Sequence, residues 1–212
     1  MIIFNNVTKK GIKDFSLYIK SGEMICINDK DSKKINLLFK LIKGEERPAS
    51  GEIRFLHKGT YTAEIPDNMA AYVFKKNILL AKRTLEENLE YIMRVKELDM
   101  KDCSSRIRRI LDIVDLKQYR SKSPVELLKH QLIRANIAQG IISYPPILVL
   151  EDILLGLDEV NTQGIIHLLK RLNRFSMTIV LLSSSSKMVL GKEVRKINLI
   201  THYPEKKKGF YA

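Results

Sequence analysis

Apolar and polar residues alternate along the chain in a pattern that predicts short strands and amphipathic helices in turn. In residues 15–20 every second side chain is apolar, as in a strand with one buried face. Residues 147–150 and 177–182 are apolar runs, which are typical of strands buried on both faces of a parallel sheet. Further strands are predicted at residues 2–7, 24–27, 53–56, 70–74 and 194–200. Helices are predicted at residues 33–41, from 84, at 106–116, after Pro124 to about 142, and at 160–173.

This order of elements predicts an α/β fold with right-handed crossovers. The chain has 212 residues, of which 45% are hydrophobic, so we expect one domain over residues 1–212. Three consecutive helices within about residues 84–142 interrupt the alternation, and we expect them to form a helical subdomain. Thr84 and Glu87 form a capping-box sequence where the first of these helices begins.

The net charge of the chain is +13, and a basic surface can meet nucleic acid, anionic lipid or an acidic partner. The lysines are spread along the whole chain, apart from one compact run within residues 205–208. No interleaving of aromatic and basic residues indicates RNA binding. We therefore expect a solvated surface and no nucleic-acid partner, while a nucleic-acid or lipid-surface binder stays open as an alternative.

Cysteine content and hydropathy favour a cytoplasmic chain. Cys26 and Cys103 lie far apart and form no CxxC pair, which fits a reducing compartment. No uninterrupted apolar run reaches the 18 or so residues that a transmembrane helix needs. The first ten residues lack the basic-then-apolar order of a signal peptide.

Segments along essentially the whole chain resemble, in order, the motifs of ABC transporter ATP-binding domains. The strand at 24–27, the loop at 28–36 and the helix that follows have the layout of a nucleotide-binding P-loop. The other segments are NVTK at 6–9, FSL at 15–17, SGE at 21–23, YVFK at 72–75, RTLEENL at 83–89, PVELLKHQ at 124–131, RANIA at 134–138, PILVLED at 146–152, GLD at 156–158 and TIVLLSS at 178–184. The RTLEENL segment with the helix at 107–116, and the ending KGFY at 208–211, resemble the FtsE branch in particular.

The resemblance implies a P-loop NTPase-like ABC ATPase fold. Its expected parts are a mixed central sheet with flanking helices, an N-terminal antiparallel β part and a helical subdomain. Its motifs imply ATP hydrolysis, but many residues that the family uses for this chemistry are replaced here.

The phosphate-binding loop carries acids in place of glycines. The degenerate loop consists of Asn28, Asp29, Lys30, Asp31, Ser32 and Lys33, followed by Lys34, Ile35 and Asn36. The family has glycine at positions 28, 31 and 33, and a left-handed backbone costs a non-glycine residue ~1–2 kcal/mol. A carboxylate facing phosphate at about 4 Å costs roughly 4 kcal/mol, about a thousandfold in affinity. Asp29 and Asp31 therefore oppose nucleotide binding.

Lys34 stands where the phosphate-binding lysine belongs, and two roles stay open for it. It is either a solvated lysine paired with Asp31 or a phosphate clamp. Ile35 replaces the hydroxyl residue that binds Mg²⁺ and has no oxygen to offer, and Asn36 is expected to face elsewhere on its helix. We therefore assign no cofactor and no metal: weak ATP binding stays open, and Mg²⁺ binding is not expected.

Other positions that the family uses are replaced as well. Lys75 takes the place of the glutamine that links metal to the membrane partner, and LKH at 128–130 takes the place of the signature Ser-Gly-Gly. Ser184 replaces the switch histidine. The family's adenine-stacking aromatic is expected near Lys10, and the sequence offers no obvious substitute there. The resemblance therefore implies a kept fold with no intact catalytic set.

Two carboxylates survive at the Walker B position with their lengths exchanged. Glu151 stands at the metal-holding aspartate and Asp152 at the catalytic glutamate. A displacement of about 1 Å at such groups can cost on the order of a hundredfold in rate. Asp158 keeps the D-loop position, where a helix N-cap is its simpler role.

The leading hypothesis is a pseudo-ATPase that binds an FtsX-like membrane permease in cell division or cell-wall control, cytoplasmic and peripheral to the inner face of the membrane. The expected docking groove lies between residues 74–80 and the helix at 84–95. Its contact residues are Phe74, Lys75, Lys76, Leu80, Lys82 and Arg83. A weak ATPase, or the degenerate half of a heterodimer with a competent ABC ATPase, stays open; alone, the chain is expected to be monomeric.

Overall fold

The computed structural model describes residues 1–57, 59–66, 68–185 and 189–199, and within them the chain forms nine strands and five α-helices. The strands are β1 (Ile2–Lys9), β2 (Ile12–Ile19), β3 (Met24–Asn28), β4 (Ser50–His57), β5 (Thr60–Thr62), β6 (Ala70–Val73), β7 (Ile147–Glu151), β8 (Thr178–Ser183) and β9 (Arg195–Asn198). The helices are α1 (Ser32–Lys43), α2 (Leu85–Val95), α3 (Cys103–Ile113), α4 (Lys129–Ile141) and α5 (Glu159–Asn173). The basic run at 205–208 and the KGFY ending lie outside the described residues.

The strands are divided between two sheets. β6, β7, β8, β3 and β9 lie side by side in that order in a parallel sheet, and β2, β1, β4 and β5 form an antiparallel sheet. The predicted α/β fold is confirmed, and its parallel and antiparallel strands lie in separate sheets.

Two hydrophobic clusters cover the two faces of the parallel sheet, and β3 contributes to both. Met24 and Cys26 pack with residues of α2 to α5, whereas Ile25 and Ile27 pack with α1 and the antiparallel sheet. Side chains alternate between the faces of a strand, so a strand with packed layers on both sides is apolar at every position. This arrangement explains the uninterrupted apolar runs of the sequence.

Helix α1 begins and ends at sequence signals. Asp31 is its N-cap, and Gly44, at φ 81°, ends it in the left-handed conformation that glycine adopts without strain. Ile35, Leu38 and Phe39 are among the buried residues of its inner face. The helix therefore lies directly behind the loop that follows β3.

The helix predicted after Pro124, running to about residue 142, begins several residues beyond the proline. Pro124–Glu126 forms one turn of 3₁₀-helix, Leu127 and Leu128 are extended, and α4 begins only at Lys129. The Gln131 side chain accepts a hydrogen bond from the Leu128 backbone N–H at 2.9 Å and so closes the true N-terminus of the helix. Apolar periodicity alone does not show this interruption.

Helix α2 begins at the predicted capping box. The Thr84 hydroxyl accepts the Glu87 N–H at 3.2 Å, and the Glu87 carboxylate accepts the Thr84 N–H at 2.7 Å. Helices α2, α3 and α4 contribute to one hydrophobic cluster, while the limits of a helical subdomain stay a prediction. Among the described residues no helix has the length and apolar character needed to cross a membrane.

Candidate functional site

The carboxyl ends of three neighbouring parallel strands bring most of the predicted site residues together. β3 ends at Asn28, β7 at Glu151 and β8 at Ser183, and these strands are adjacent in the order β7, β8, β3. In open parallel sheets, ligand sites form at this edge. The segments predicted from residues 28–36, 151–152 and 184 therefore share one edge.

The loop after β3 contains no residue with a positive φ among positions 28–33. The left-handed strain expected for non-glycine residues is therefore wrong for this loop, because the chain follows a different path. Asn28 fixes that path by donating from Nδ2 to the carbonyl oxygens of Ser183 at 3.0 Å and Ser185 at 2.6 Å.

Asp29 points into the protein beside Lys34. Its residue is only 3% exposed, its Oδ1 accepts the Asp31 N–H at 2.8 Å, and its Oδ2 lies 3.7 Å from Lys34 Nζ. That distance is an ion pair but too long for a hydrogen bond, and within the described residues Oδ2 has no hydrogen-bond partner. The expected pairing of Lys34 with Asp31 is therefore wrong, and Asp29 is the partner.

Asp31 caps α1. Its side chain accepts the Lys33 N–H at 2.9 Å, which is the usual role of an aspartate N-cap. Lys30, Ser32 and Lys33 present exposed side chains around it. The first turn of the helix thus uses a carboxylate of the chain itself to satisfy a free backbone donor.

The position expected for a metal-binding hydroxyl belongs to the core. Ile35 is fully buried within the hydrophobic cluster on the α1 side of the sheet. Asn36 does not face elsewhere, as the helical position suggested: its Nδ2 donates to Glu151 Oε1 at 2.6 Å. The carboxylate of Glu151 is mostly buried, so this hydrogen bond compensates for part of its lost hydration.

Asp152 and Ser184 form a second pair at the same edge. The Ser184 N–H donates to Asp152 Oδ1 at 2.6 Å, and the Ser184 hydroxyl lies 3.0 Å from Oδ1 and 2.9 Å from Oδ2. Asp152 has φ 47°, a left-handed conformation that aspartate tolerates better than most residues. The Asp152 carboxylate, predicted to stand at the catalytic position, therefore binds the residue that follows β8.

A tight turn closes the site beside Lys34. Lys10 and Gly11 join β1 to β2 with φ 41° and 95°, and a Cβ at position 11 would lie 3.4 Å from Lys34 Cε. The lysine stem packs against this glycine where the family places an adenine-stacking aromatic.

Two contacts organise the segment between β7 and α5. Asp158 caps α5 through hydrogen bonds from Asn161 N at 2.8 Å and Asn161 Nδ2 at 2.6 Å, and these bonds lower the pKa of the Asp158 carboxyl. Lys129 donates from Nζ to the carbonyl oxygens of Leu155 at 2.8 Å and Gly156 at 3.2 Å. The sequence analysis placed Lys129 in the segment predicted at the signature motif, but it did not predict this contact.

Lys75 lies exposed at the rim of a cavity of about 270 Å³. The walls come from residues 73–77, from α4 and from the segment 152–155, and they include Phe74, Asn136 and Asp152. Asn136 is 7% exposed, and its Oδ1 has no hydrogen-bond partner within the described residues. The depression next to Lys75 is thus walled by α4 and not by α2.

Asn88 holds the rest of the predicted docking segment to α2. Its Oδ1 accepts the Leu80 N–H at 2.7 Å, and its Nδ2 donates to the carbonyl oxygens of Leu80, Arg83 and Thr84 at 2.9–3.1 Å. Lys76, Lys82 and Leu80 are exposed, and the Arg83 guanidinium lies 5.2 Å from the Tyr91 ring centroid. Asn88 explains physically why an asparagine stands in the RTLEENL motif.

The acidic side chains at this edge of the sheet do not lie in one cluster. Among the described residues there is no group of three or more His, Cys, Asp or Glu side chains arranged to hold a metal ion. The carboxylates at the edge of the sheet lie in separate pairs with Asn36 and with Ser184.

Comparison with known proteins finds similarity to ATP-binding proteins of bacterial transport and cell-division systems. The cell division ATP-binding protein FtsE of Escherichia coli K12 is 25% identical over 210 residues, which cover 94% of this chain and 95% of FtsE. The energy-coupling factor transporter ATP-binding protein EcfA2 of Clostridium tetani is 30% identical over 185 residues, and the methionine import ATP-binding protein MetN 1 of Acinetobacter baylyi is 26% identical over 185 residues. Each match covers 84% of this chain, which spans 64% of EcfA2 and 52% of MetN 1. No family model matches the chain.

Solved structures share the fold. The cbiO1 protein of Clostridium perfringens, part of the ABC transporter complex cbiONQ, superposes with a TM-score of 0.76 at 19% identity, over 86% of this chain and 77% of cbiO1. The dimeric bacterial ABC transporter cassette MJ0796 superposes with a TM-score of 0.74 at 23% identity, over 94% and 95% of the two chains.

Proposed function

Because its relatives are ATP-binding proteins of ABC transporters, FtsE among them, and its fold is that of an ABC ATPase cassette, we propose that this chain is an FtsE-like pseudo-ATPase that docks on a membrane permease. It acts as a single domain over residues 1–212, with residues 84–142 as a helical subdomain. It lies at the inner face of the membrane, where an FtsX-like partner binds it.

One observation carries this proposal: the acids of the site are bonded to donors of the chain itself. Glu151 accepts from Asn36, Asp152 accepts from Ser184, and Asp29 accepts from the Asp31 N–H. A metal or a water that binds to the bonded oxygens competes with these hydrogen bonds, and losing one of them costs about 1–3 kcal/mol.

The residues of the loop do not fit MgATP. A phosphate beside Lys34 meets the buried Asp29 carboxylate, and the side chain at the metal-hydroxyl position is the buried, apolar Ile35. Charge repulsion from Asp29 and the missing oxygen at position 35 both weaken the binding of MgATP. Both effects therefore disfavour the binding of MgATP and, with it, hydrolysis.

The predicted docking surface along residues 74–83 is exposed, and hydrogen bonds within the chain hold part of it in place. Lys75, Lys76 and Lys82 are exposed along residues 74–83, and Leu80 exposes 39% of its surface beside them. Asn88 holds residues 80–84 in place without any ligand. A cationic rim around apolar side chains suits a permease segment that is amphipathic and acidic.

A MgATP titration tests the loss of catalysis. We expect no heat of binding at micromolar concentration and no phosphate release above buffer, with Escherichia coli FtsE as the active comparison protein. Micromolar binding that disappears in Lys34→Ala, or steady phosphate release, contradicts a pseudo-ATPase.

Co-purification in detergent with an FtsX-like permease tests the partner. We expect wild-type protein to be retained, and the Lys75→Glu/Lys82→Glu double variant to be lost. The matched control is Lys13→Glu, a change of an exposed lysine on the antiparallel sheet. Equal retention of all three proteins places the contact elsewhere, and failure of wild type to co-purify contradicts the proposed partner.

A second candidate is the degenerate half of a heterodimer with a competent ABC ATPase. Exposed apolar side chains in the segment predicted at the signature motif and just after the predicted D-loop favour it: Val125, Leu128 and Val160 expose 76%, 64% and 81% of their surfaces. If this candidate is correct, adding the chain to a competent ABC ATPase raises the hydrolysis rate, and Val160→Lys cancels the increase.

A further inference from the structure

The N-terminal end of α1 holds a negative charge that comes from the chain itself. Helix N-termini bind anions because their backbone N–H groups lack partners and the helix dipole is positive there. Here Asp29 lies just before that end, almost fully buried, with Oδ1 accepting the Asp31 N–H at 2.8 Å. Its other oxygen faces the Lys34 ammonium at 3.7 Å.

These contacts form the environment of a bound oxyanion. One oxygen accepts a backbone N–H and the other faces an ammonium group, and the same two donors suit a phosphate oxygen. Asp29 Oδ2 is buried and has no hydrogen-bond partner within the described residues. The carboxylate therefore satisfies only part of the hydrogen-bonding capacity of this position. We propose that the loop at residues 28–34 is an oxyanion-binding site that the chain fills with its own Asp29 carboxylate.

The Asp29 carboxylate, which acts as an internal anion, orders the loop, so that no bound ligand is needed for its conformation. Asn28 ties the start of the loop to β8 and the segment after it, Asp31 caps α1, and Asp29 neutralises Lys34. The loop and the adjoining sheet edge therefore keep one conformation with or without nucleotide. It follows that permease docking, which rests on the proposed function, does not depend on nucleotide.

Asp31 is the matched comparison for Asp29. Both are aspartates at the start of α1, but Asp31 is exposed and caps the Lys33 N–H, whereas Asp29 is buried against Lys34. Asp31→Asn removes one negative charge and keeps an acceptor at the cap. It leaves the internal anion in place.

Titration with sodium pyrophosphate, without Mg²⁺, is the test. We expect Asp29→Ala to bind pyrophosphate at least about tenfold more tightly than wild type, because one opposing charge has left the site. Asp31→Asn should raise the affinity much less, within about twofold of wild type, because the Asp31 carboxylate is exposed and water weakens its repulsion. The gain should disappear in Asp29→Ala/Lys34→Met.

Parallel titrations separate the sources of the anion. Inorganic phosphate and ATP, each without Mg²⁺, show whether the opened site takes a single phosphate group, a polyphosphate chain or a nucleotide. If Asp29→Ala does not fold, Asp29→Asn decides the matter, because it keeps the shape of the side chain and removes only its charge. A gain in Asp29→Asn that requires Lys34 supports the inference.

Two results overturn the inference: no gain of pyrophosphate binding in the folded Asp29 variant, or a gain that survives the loss of Lys34. Neither bears on the permease. Phosphate release from MgATP by wild type contradicts the proposed function instead, so failure of one is distinguishable from failure of the other.

Discussion

Asn36 Nδ2 donates a 2.6 Å hydrogen bond to Glu151 Oε1 and so joins α1 to the end of β7. The two residues are 115 positions apart in the chain. The resemblance to ABC ATPases predicts a metal-binding carboxylate at this edge, and in this chain the Glu151 carboxylate accepts a hydrogen bond from an amide. The bond therefore makes the Glu151 carboxylate part of the framework that joins α1 to β7.

Loss of the Asn36 amide should destabilise the protein. Asn36→Ala leaves a mostly buried carboxylate without this donor, which costs about 1–3 kcal/mol of unfolding free energy. Glu151→Gln keeps an acceptor oxygen and should cost less. Urea denaturation measures both, with Lys33→Ala as an exposed control on the same helix. Equal stability of Asn36→Ala and the control would contradict a structural role for the bond.

Asn88 should be needed for the order of the predicted docking segment. Asn88→Ala removes four hydrogen bonds to residues 80–84, and about 3 kcal/mol of stability is expected to go with them. Hydrogen exchange at the Leu80 amide should rise in parallel. Gln118→Ala, at an exposed amide side chain, serves as the control and should change neither quantity. Unchanged exchange at Leu80 in Asn88→Ala would show that something else orders the segment.

Alanine should have opposite effects at Gly156 and Gly164. Gly156 has φ 73°, and a Cβ there would lie 2.8 Å from Lys129 Nζ, so Gly156→Ala should destabilise by about 1–2 kcal/mol. Gly164 lies inside α5, where a Cβ would lie 3.4 Å from Arg134 Nη2, and alanine there should stabilise by about 0.5–1 kcal/mol. Thermal denaturation of the two variants checks the signs. Stabilisation by Gly156→Ala would contradict the left-handed turn.

The free energy of unfolding at alkaline pH should depend on the buried Cys26 thiol. Burial raises the pKa of its thiol from 9.0 to about 12, so the folded protein keeps a proton that the unfolded chain releases above pH 9. The stability due to this group is complete below pH 9 and falls by about 1.4 kcal/mol per pH unit as pH rises towards 12.

The measurement is the difference in unfolding free energy between wild type and Cys26→Ala at pH 7 and at pH 10.5. Cys26→Ala removes the titrating thiol, so wild type should lose about 2 kcal/mol more than the variant over this interval. A constant difference at the two pH values would place Cys26 in contact with solvent.

Local sequence rules predicted the elements whose signals lie within one turn or one strand. The Thr84 capping box, the Asp158 N-cap and the apolar runs of β7 and β8 are examples. They failed where the signal was weak: β5 is three largely exposed residues, and the break before α4 lies in an otherwise helical apolar pattern. Each failure concerns a segment whose conformation depends on neighbours distant in the chain.

The sequence was sufficient to predict the order of most strands and helices, and the family resemblance predicted which residues stand at the positions of the glycines, the metal-binding hydroxyl and the switch histidine. The sequence did not determine where the remaining acids point. Asp29, and not Asp31, forms the ion pair with Lys34, and Glu151 accepts a hydrogen bond from Asn36. Both contacts arise because the strand ends and α1 converge at one edge of the sheet. Periodicity and capping act over about four residues. Partners further apart are set by the path of the whole chain, so only the tertiary structure decided them.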